Sequence, residues 1–160
     1  MIMLVAIGVA LALVAASVLI HYEFLRQTSE LIPHLAIATR SKVLVVIAGV
    51  FLAHLIEVLL FAIAYGLMHL SPAFGTIAGQ FSGTPLDFFY FSITSYTTLG
   101  VGDLFPHGPF RLVAGIQALV GFVLTGWSAS FTYLAMEKFW SQHPRRRGAK
   151  AAQTDDAPSP

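Results

Sequence analysis

The chain of 160 residues contains no cysteine, which excludes a disulfide framework and any thiolate metal site. It is also short of charge: Asp, Glu, Lys and Arg make up 11% of the residues, against 56% that are hydrophobic. A soluble domain of this size cannot bury that much apolar surface and still cover itself with polar groups. The mean hydropathy of +0.75 points the same way. The missing charges are localised. Residues 1–20 hold none, and residues 71–108 hold no Lys or Arg, although Arg111 follows. No apolar stretch is rich in Arg, which argues against voltage sensing through moving helix charges. There is no internal repeat, and nothing in the chain calls for nucleic acid, a cofactor or a resident metal.

What is present comes in three apolar blocks, at 1–20, 43–68 and 112–134, each near the roughly 20 residues a helix needs to cross a bilayer. The first has no basic n-region, and its small residues Ala15, Ala16 and Ser17 lie inside the apolar run. It therefore reads as a retained span rather than a cleaved signal peptide. The basic residues set the orientation. Arg26, Arg40 and Lys42 lie between the first two spans, and Lys138, Arg145, Arg146, Arg147 and Lys150 follow the last. Three spans put these two groups on one side, so the expected topology has the N-terminus outside and the C-terminus cytoplasmic. The expected organisation is an N-terminal membrane helix at 1–25 and a cytoplasmic linker at 26–42. A membrane unit at 43–140 and a disordered tail at 141–160 complete it. His21 and Tyr22 read as the end of the first helix, at the interface.

Between the second and third spans lies a helix too short to cross a membrane. Thr84 can cap free amides, Pro85 suits the first helical position, and Asp87 stands three residues after the cap. A helix over 85–97 follows, of about three turns. It runs into Thr97-Thr98-Leu99-Gly100-Val101-Gly102-Asp103. Glycine at alternate positions permits the positive φ angles that aim successive carbonyls toward one axis, and Thr98 adds a hydroxyl oxygen. Such a stack of oxygens substitutes for the hydration shell of a cation. A half-helix ending at membrane depth directs the negative end of its dipole at the same place. A plain glycine-rich turn is the alternative, but it leaves the capped half-helix and the double Thr unexplained.

Tyr90-Phe91-Ser92 followed by residues 97–103 resembles the pore helix and selectivity filter of the two-transmembrane-pore potassium channel family. The resemblance covers residues 43–140, and the first span and the tail lie outside it. It implies an all-α membrane protein, with three transmembrane helices, a re-entrant pore helix and a filter loop, assembled as a homotetrameric pore. By position it assigns the outer helix to 43–70, the pore helix to 85–97, the filter to 98–102 and the inner helix to 109–140. Thr98, Leu99, Gly100, Val101 and Gly102 would bind ions, with Ser95, Tyr96, Thr97 and Asp103 in support. The implied activity is passive conduction of dehydrated potassium in a bacterial-type inner or plasma membrane, among lipids, with no covalent chemistry. Val101 departs from the pattern. The family usually has Tyr there, whose hydroxyl bonds behind the filter, so a weakly selective monovalent cation channel stands as the alternative.

Other residues invite assignments. Gly121 stands where the resembled family often places a gating hinge, although close packing explains a mid-helix glycine equally well. Gln117, Gly121, Thr125 and Ser128 share one helical face and are expected to line an inner cavity. His54 and Glu57, three apart in the middle span, form an intramembrane polar pair. It is expected to fix how that helix docks. A proton- or metal-sensitive site is the sharper reading, but two residues of one chain are too few for zinc. A proton-coupled transporter built on His54 and Glu57, or a non-conducting accessory membrane protein, are the remaining alternatives.

Overall fold

A computed structural model describes residues 1–140, and the expected disordered tail at 141–160 lies outside them. Among the described residues, three helices are long and apolar enough to cross a membrane. They are α1 (Ile2–Leu31), α2 (Lys42–His69) and α4 (Phe110–Trp140), and the shorter α3 (Pro85–Tyr96) is inserted between the last two. The chain is thus an all-α membrane protein.

Helix α1 runs six residues beyond the expected 1–25. The extension is polar and holds itself by side chains one turn apart. Arg26 donates to Glu23 at 2.9 Å and to Glu30 at 2.7 Å, and Gln27 donates to Glu23 at 2.9 Å. A single helical turn, Ile32–His34, closes it. The other unexpected element is a two-stranded antiparallel ladder, β1 (Ile77–Gly79) with β2 (Leu104–Pro106), pairing Ile77 with Pro106 and Gly79 with Leu104. It joins the segment before α3 to the segment after the loop that α3 feeds. Gly79, at φ 104°, admits the Asp103 backbone where any Cβ would collide.

The largest apolar core lies where α2, α3 and α4 converge. Tyr65 meets Phe91 edge-on at 4.9 Å between ring centroids and stacks on Phe110 at 5.9 Å. Phe61, Val113 and, from α1, Ala10 and Leu13 complete it. Helix α1 packs on both α2 and α4, so all four helices meet around the inner end of α3.

Candidate functional site

The start of α3 is fixed by a reciprocal cap. Thr84 Oγ1 accepts from the Asp87 amide at 3.3 Å, while Asp87 Oδ2 accepts from the amides of Thr84 and Ser82 at 3.0 and 2.9 Å. The Thr84 amide, with that of Ser82 behind it, holds the Asp87 carboxyl below the usual carboxylate range. At the other end the helix tightens and opens. Thr97 N donates to Ile93 O at 3.0 Å, Thr98 N to Ser95 O at 3.1 Å and Leu99 N to Thr94 O at 3.0 Å.

The backbone then alternates in hand. Thr98 has φ 58°, Gly100 52° and Gly102 88°, whereas Leu99 and Val101 stay in the ordinary negative region. In an extended strand successive carbonyls point to opposite sides. Placing every second residue in the left-handed region turns the alternate carbonyls back toward one side. Glycine takes this φ at little cost, but for Thr98 it is a strained position of the kind found at functional sites. Residues 97–102 are all exposed, and around Gly100 and Gly102 there is open space. The Thr98 hydroxyl donates to Thr97 O at 2.6 Å. Beyond the loop the Asp103 carboxylate accepts from the Leu104 amide at 3.1 Å, and its carbonyl accepts from Gln80 N at 3.0 Å. Asp103 thus fastens the loop to the β1–β2 ladder.

Behind the loop, α3 is held by two polar layers. In the first, Ser92 donates to the Val58 carbonyl of α2 at 2.6 Å, and Gln117 of α4 donates to Ser92 at 2.8 Å. Tyr65 of α2 donates to Gln117 Oε1 at 2.7 Å. Ser92, Tyr65 and Gln117 are fully buried. This corrects the expected cavity lining at Gln117, Gly121 and Ser128. Gln117, Gly121 and Ser128 do share a face, but it is turned into the protomer and covered by α3 and α1, while Thr125 is exposed on another. Shared spacing identifies a stripe without identifying what covers it. Gly121 lies directly against the Tyr96 carbonyl, with no room there for a Cβ. Its position is that of a packing glycine under the end of α3.

The second layer contains the expected pair, His54 and Glu57, 3.3 Å apart, and three further residues. Glu57 accepts from Tyr96, the last residue of α3, and its other oxygen lies 2.9 Å from His21 Nδ1 of α1. His54 Nδ1 is 2.7 Å from the Tyr96 hydroxyl, and His54 Nε2 is 3.0 Å from Ser128 Oγ of α4. Ser128 Oγ is 3.1 Å from His21 Nε2. The placement of His21 at the interface is therefore wrong: it is completely buried, with its ring 5.3 Å from that of Trp127. One signal was available, since Ala6, Ala10, Leu13 and Ser17 precede it at helical spacing on one buried face. His21, His54 and Glu57 bring their donor atoms within 4.8 Å of one another, yet each of those atoms already has a partner in the layer. As it stands the arrangement is a hydrogen-bonded cluster joining four helices.

The family model described as ion channel matches residues 53–138, which is more than half of the chain and spans the second half of α2, all of α3, the loop and nearly all of α4. No curated protein and no solved structure matches the chain. With its half-helix and glycine loop set between two spans inside the matched segment, and α1 outside it, the chain belongs to the two-transmembrane-pore potassium channel family of ion channels.

Proposed function

We propose that the protein conducts monovalent cations passively, potassium foremost, through a homotetramer in which residues 98–102 of each subunit supply one quarter of a ring of backbone carbonyls. The observation that carries this reading is the alternation of left-handed φ at Thr98, Gly100 and Gly102, at the end of a capped half-helix. One chain closes no ring, and residues 97–102 of its loop are exposed, so several copies must surround the axis. The dipole of α3 favours a cation at the loop's inner end. Thr97, Asp103, Ser95 and Tyr96 hold the loop and contribute no ion ligand. By the distribution of basic residues, the loop enters from the outer face.

Potassium or thallium flux into proteoliposomes tests the reading. At φ 52° a side chain costs roughly 1–2 kcal/mol, repeated in every subunit around one axis, so Gly100→Ala abolishes flux. Flux that survives this change but vanishes with Glu57→Gln would replace the channel by a transporter centred on His54 and Glu57. Absence of flux in the unaltered protein would leave an accessory membrane protein. Val101 favours a second reading of the same pore, as a weakly selective monovalent cation channel. The potassium-to-sodium permeability ratio decides between the two.

A further inference from the structure

The cluster that joins the four helices is a closed ring. Besides the 3.3 Å approach of His54 Nδ1 to Glu57 across it, five hydrogen bonds close it, from Glu57 to His21, to Ser128, to His54, to Tyr96 and back to Glu57. Each hydrogen bond needs one proton between its two heavy atoms, so five contacts need five. An ionised carboxylate, two neutral imidazoles and the hydroxyls of serine and tyrosine supply four. With four, one contact sets two lone pairs against each other, in a place that is largely buried: Glu57 and His21 are 0% exposed, Tyr96 4% and Ser128 5%, and only the His54 side chain is partly exposed, at 20%. The ring would then also hold an uncompensated negative charge at membrane depth.

A fifth proton removes both faults, and the geometry says where it goes. Tyr96 donates to Glu57. Its oxygen then accepts from His54 Nδ1–H, leaving His54 Nε2 to accept from the Ser128 hydroxyl. Ser128 accepts from His21 Nε2–H, and His21 Nδ1–H donates to Glu57. In that arrangement His21 donates from both ring nitrogens and His54 from Nδ1 alone.

We propose that His21, Ser128, His54, Tyr96 and Glu57 form a proton-binding site, one proton per protomer, that ties the base of the ion-conducting loop to the first span. Tyr96 stands two residues before Thr98, so the ring's closure sets where the loop begins. Helix α1 is part of the site, although it lies outside the segment that matches the family. Every helix packed around the ring contributes to it, and the nearest charged residues along them lie elsewhere: Glu23 on α1, Lys42 on α2, Asp87 on α3, Arg111 and Glu137 on α4. Glu23 is already engaged by Arg26 and Gln27. A divalent cation suits the ring less well than a proton. It would strip the contacts to Tyr96 and Ser128 and leave net positive charge among apolar helices.

The test uses the full chain in lipid bilayers, with 15N in its histidines and 13C in its glutamates, observed by solid-state NMR. His21→Asn and His54→Asn assign the two imidazoles. Of the two ring histidines, the expected spectrum shows an imidazolium at His21 alone. A protonated Glu57 beside two neutral imidazoles would move the proton across the same contact and also support the site. An ionised Glu57 beside two neutral imidazoles overturns it. Glu57→Gln is the diagnostic variant because its amide supplies the fifth proton, donating to His21 Nδ1, and lets the ring close with both imidazoles neutral. An imidazolium that persists in Glu57→Gln therefore also overturns the proposal. The second readout is thermal stability of the assembly against pH. In the unaltered protein it falls as rising pH empties the ring, by up to tenfold in the folding equilibrium per pH unit, and Glu57→Gln removes that dependence. Identical profiles for the two proteins would count against the site. Neither readout requires conduction, so the site and the channel reading fail separately.

Discussion

Replacing Gly121 by Ala adds one methyl group at the tightest approach between α3 and α4. An added Cβ would lie 2.9 Å from the Tyr96 carbonyl carbon and 3.1 Å from its ring carbon Cδ1, and closer still to the carbonyl oxygen. Ordinary carbon contacts fall at roughly 3.5–4.0 Å, so the two helices must part by about 1 Å. The neighbour that must give is backbone, not the tip of a flexible side chain. Overpacking of this kind costs about 1–3 kcal/mol, which is a factor of roughly 5–150 in the folding equilibrium of each protomer. The displacement falls on Tyr96, next to the loop, so conduction suffers along with stability. Gly115→Ala and Gly126→Ala are the controls. Both lie in the same helix with nothing within 4 Å of the added carbon, and alanine is the better helix former by about 1 kcal/mol. The assay is thermal unfolding of the assembly alongside thallium flux in proteoliposomes. Gly121→Ala should lower both, and the controls neither. Gly121→Ala with the stability and flux of the unaltered protein would refute the packing role and return this glycine to the hinge reading.

Gln117→Leu keeps the volume but strands the hydroxyl of Tyr65 and one partner of Ser92 in a buried layer. An unsatisfied buried group costs about 1–3 kcal/mol, and a lowered unfolding temperature should show it. Asp87 accepts backbone amides that hold its carboxyl low. Its stabilising effect is therefore present above the pKa of the unfolded chain, near 3.9, and is lost as pH falls through the lower folded value. Asp87→Asn should lower the neutral plateau and flatten the acid limb, so that the two proteins converge at low pH. Val101→Tyr restores a hydroxyl behind the loop and should raise the potassium-to-sodium permeability ratio; an unchanged ratio would show that this position does not limit selectivity.

The start of α3 was readable because its signals are local: Thr84, Pro85 and Asp87 lie within four residues and act on amides one turn away. The left-handed glycines were readable for the same reason. The β1–β2 ladder was not, since three-residue strands of such mixed composition have no period to detect. The C-terminal end of α1 was misplaced because hydropathy stops where apolar residues stop, whereas Glu23, Arg26 and Glu30 sustain a helix by their own pairing. His21 and Gln117 were misassigned by a deeper limit. A helical period reports which residues share a face, but burial of that face depends on another helix 30 or 100 residues away.

That limit also explains the form of the support behind the loop. In hydrocarbon an apolar side chain gains little by leaving lipid for another helix, so helix docking relies on close packing and on polar contacts. Helix α3 shows both. Ser92 and Tyr96 stand four residues apart, one turn along the same face, and each enters its own buried polar layer. Gly121 brings the backbone of α4 against the carbonyl between the second layer and the loop. Two layers fix the axial position of α3 and its rotation, which a single hydrogen bond does not. The first layer uses only α2 and α4, within the segment shared with the family. The second cannot close without His21, so α1 is required for half of the support, and its contribution to that layer is a single polar residue. Removing α1 should therefore loosen Tyr96 while leaving the Ser92 layer intact.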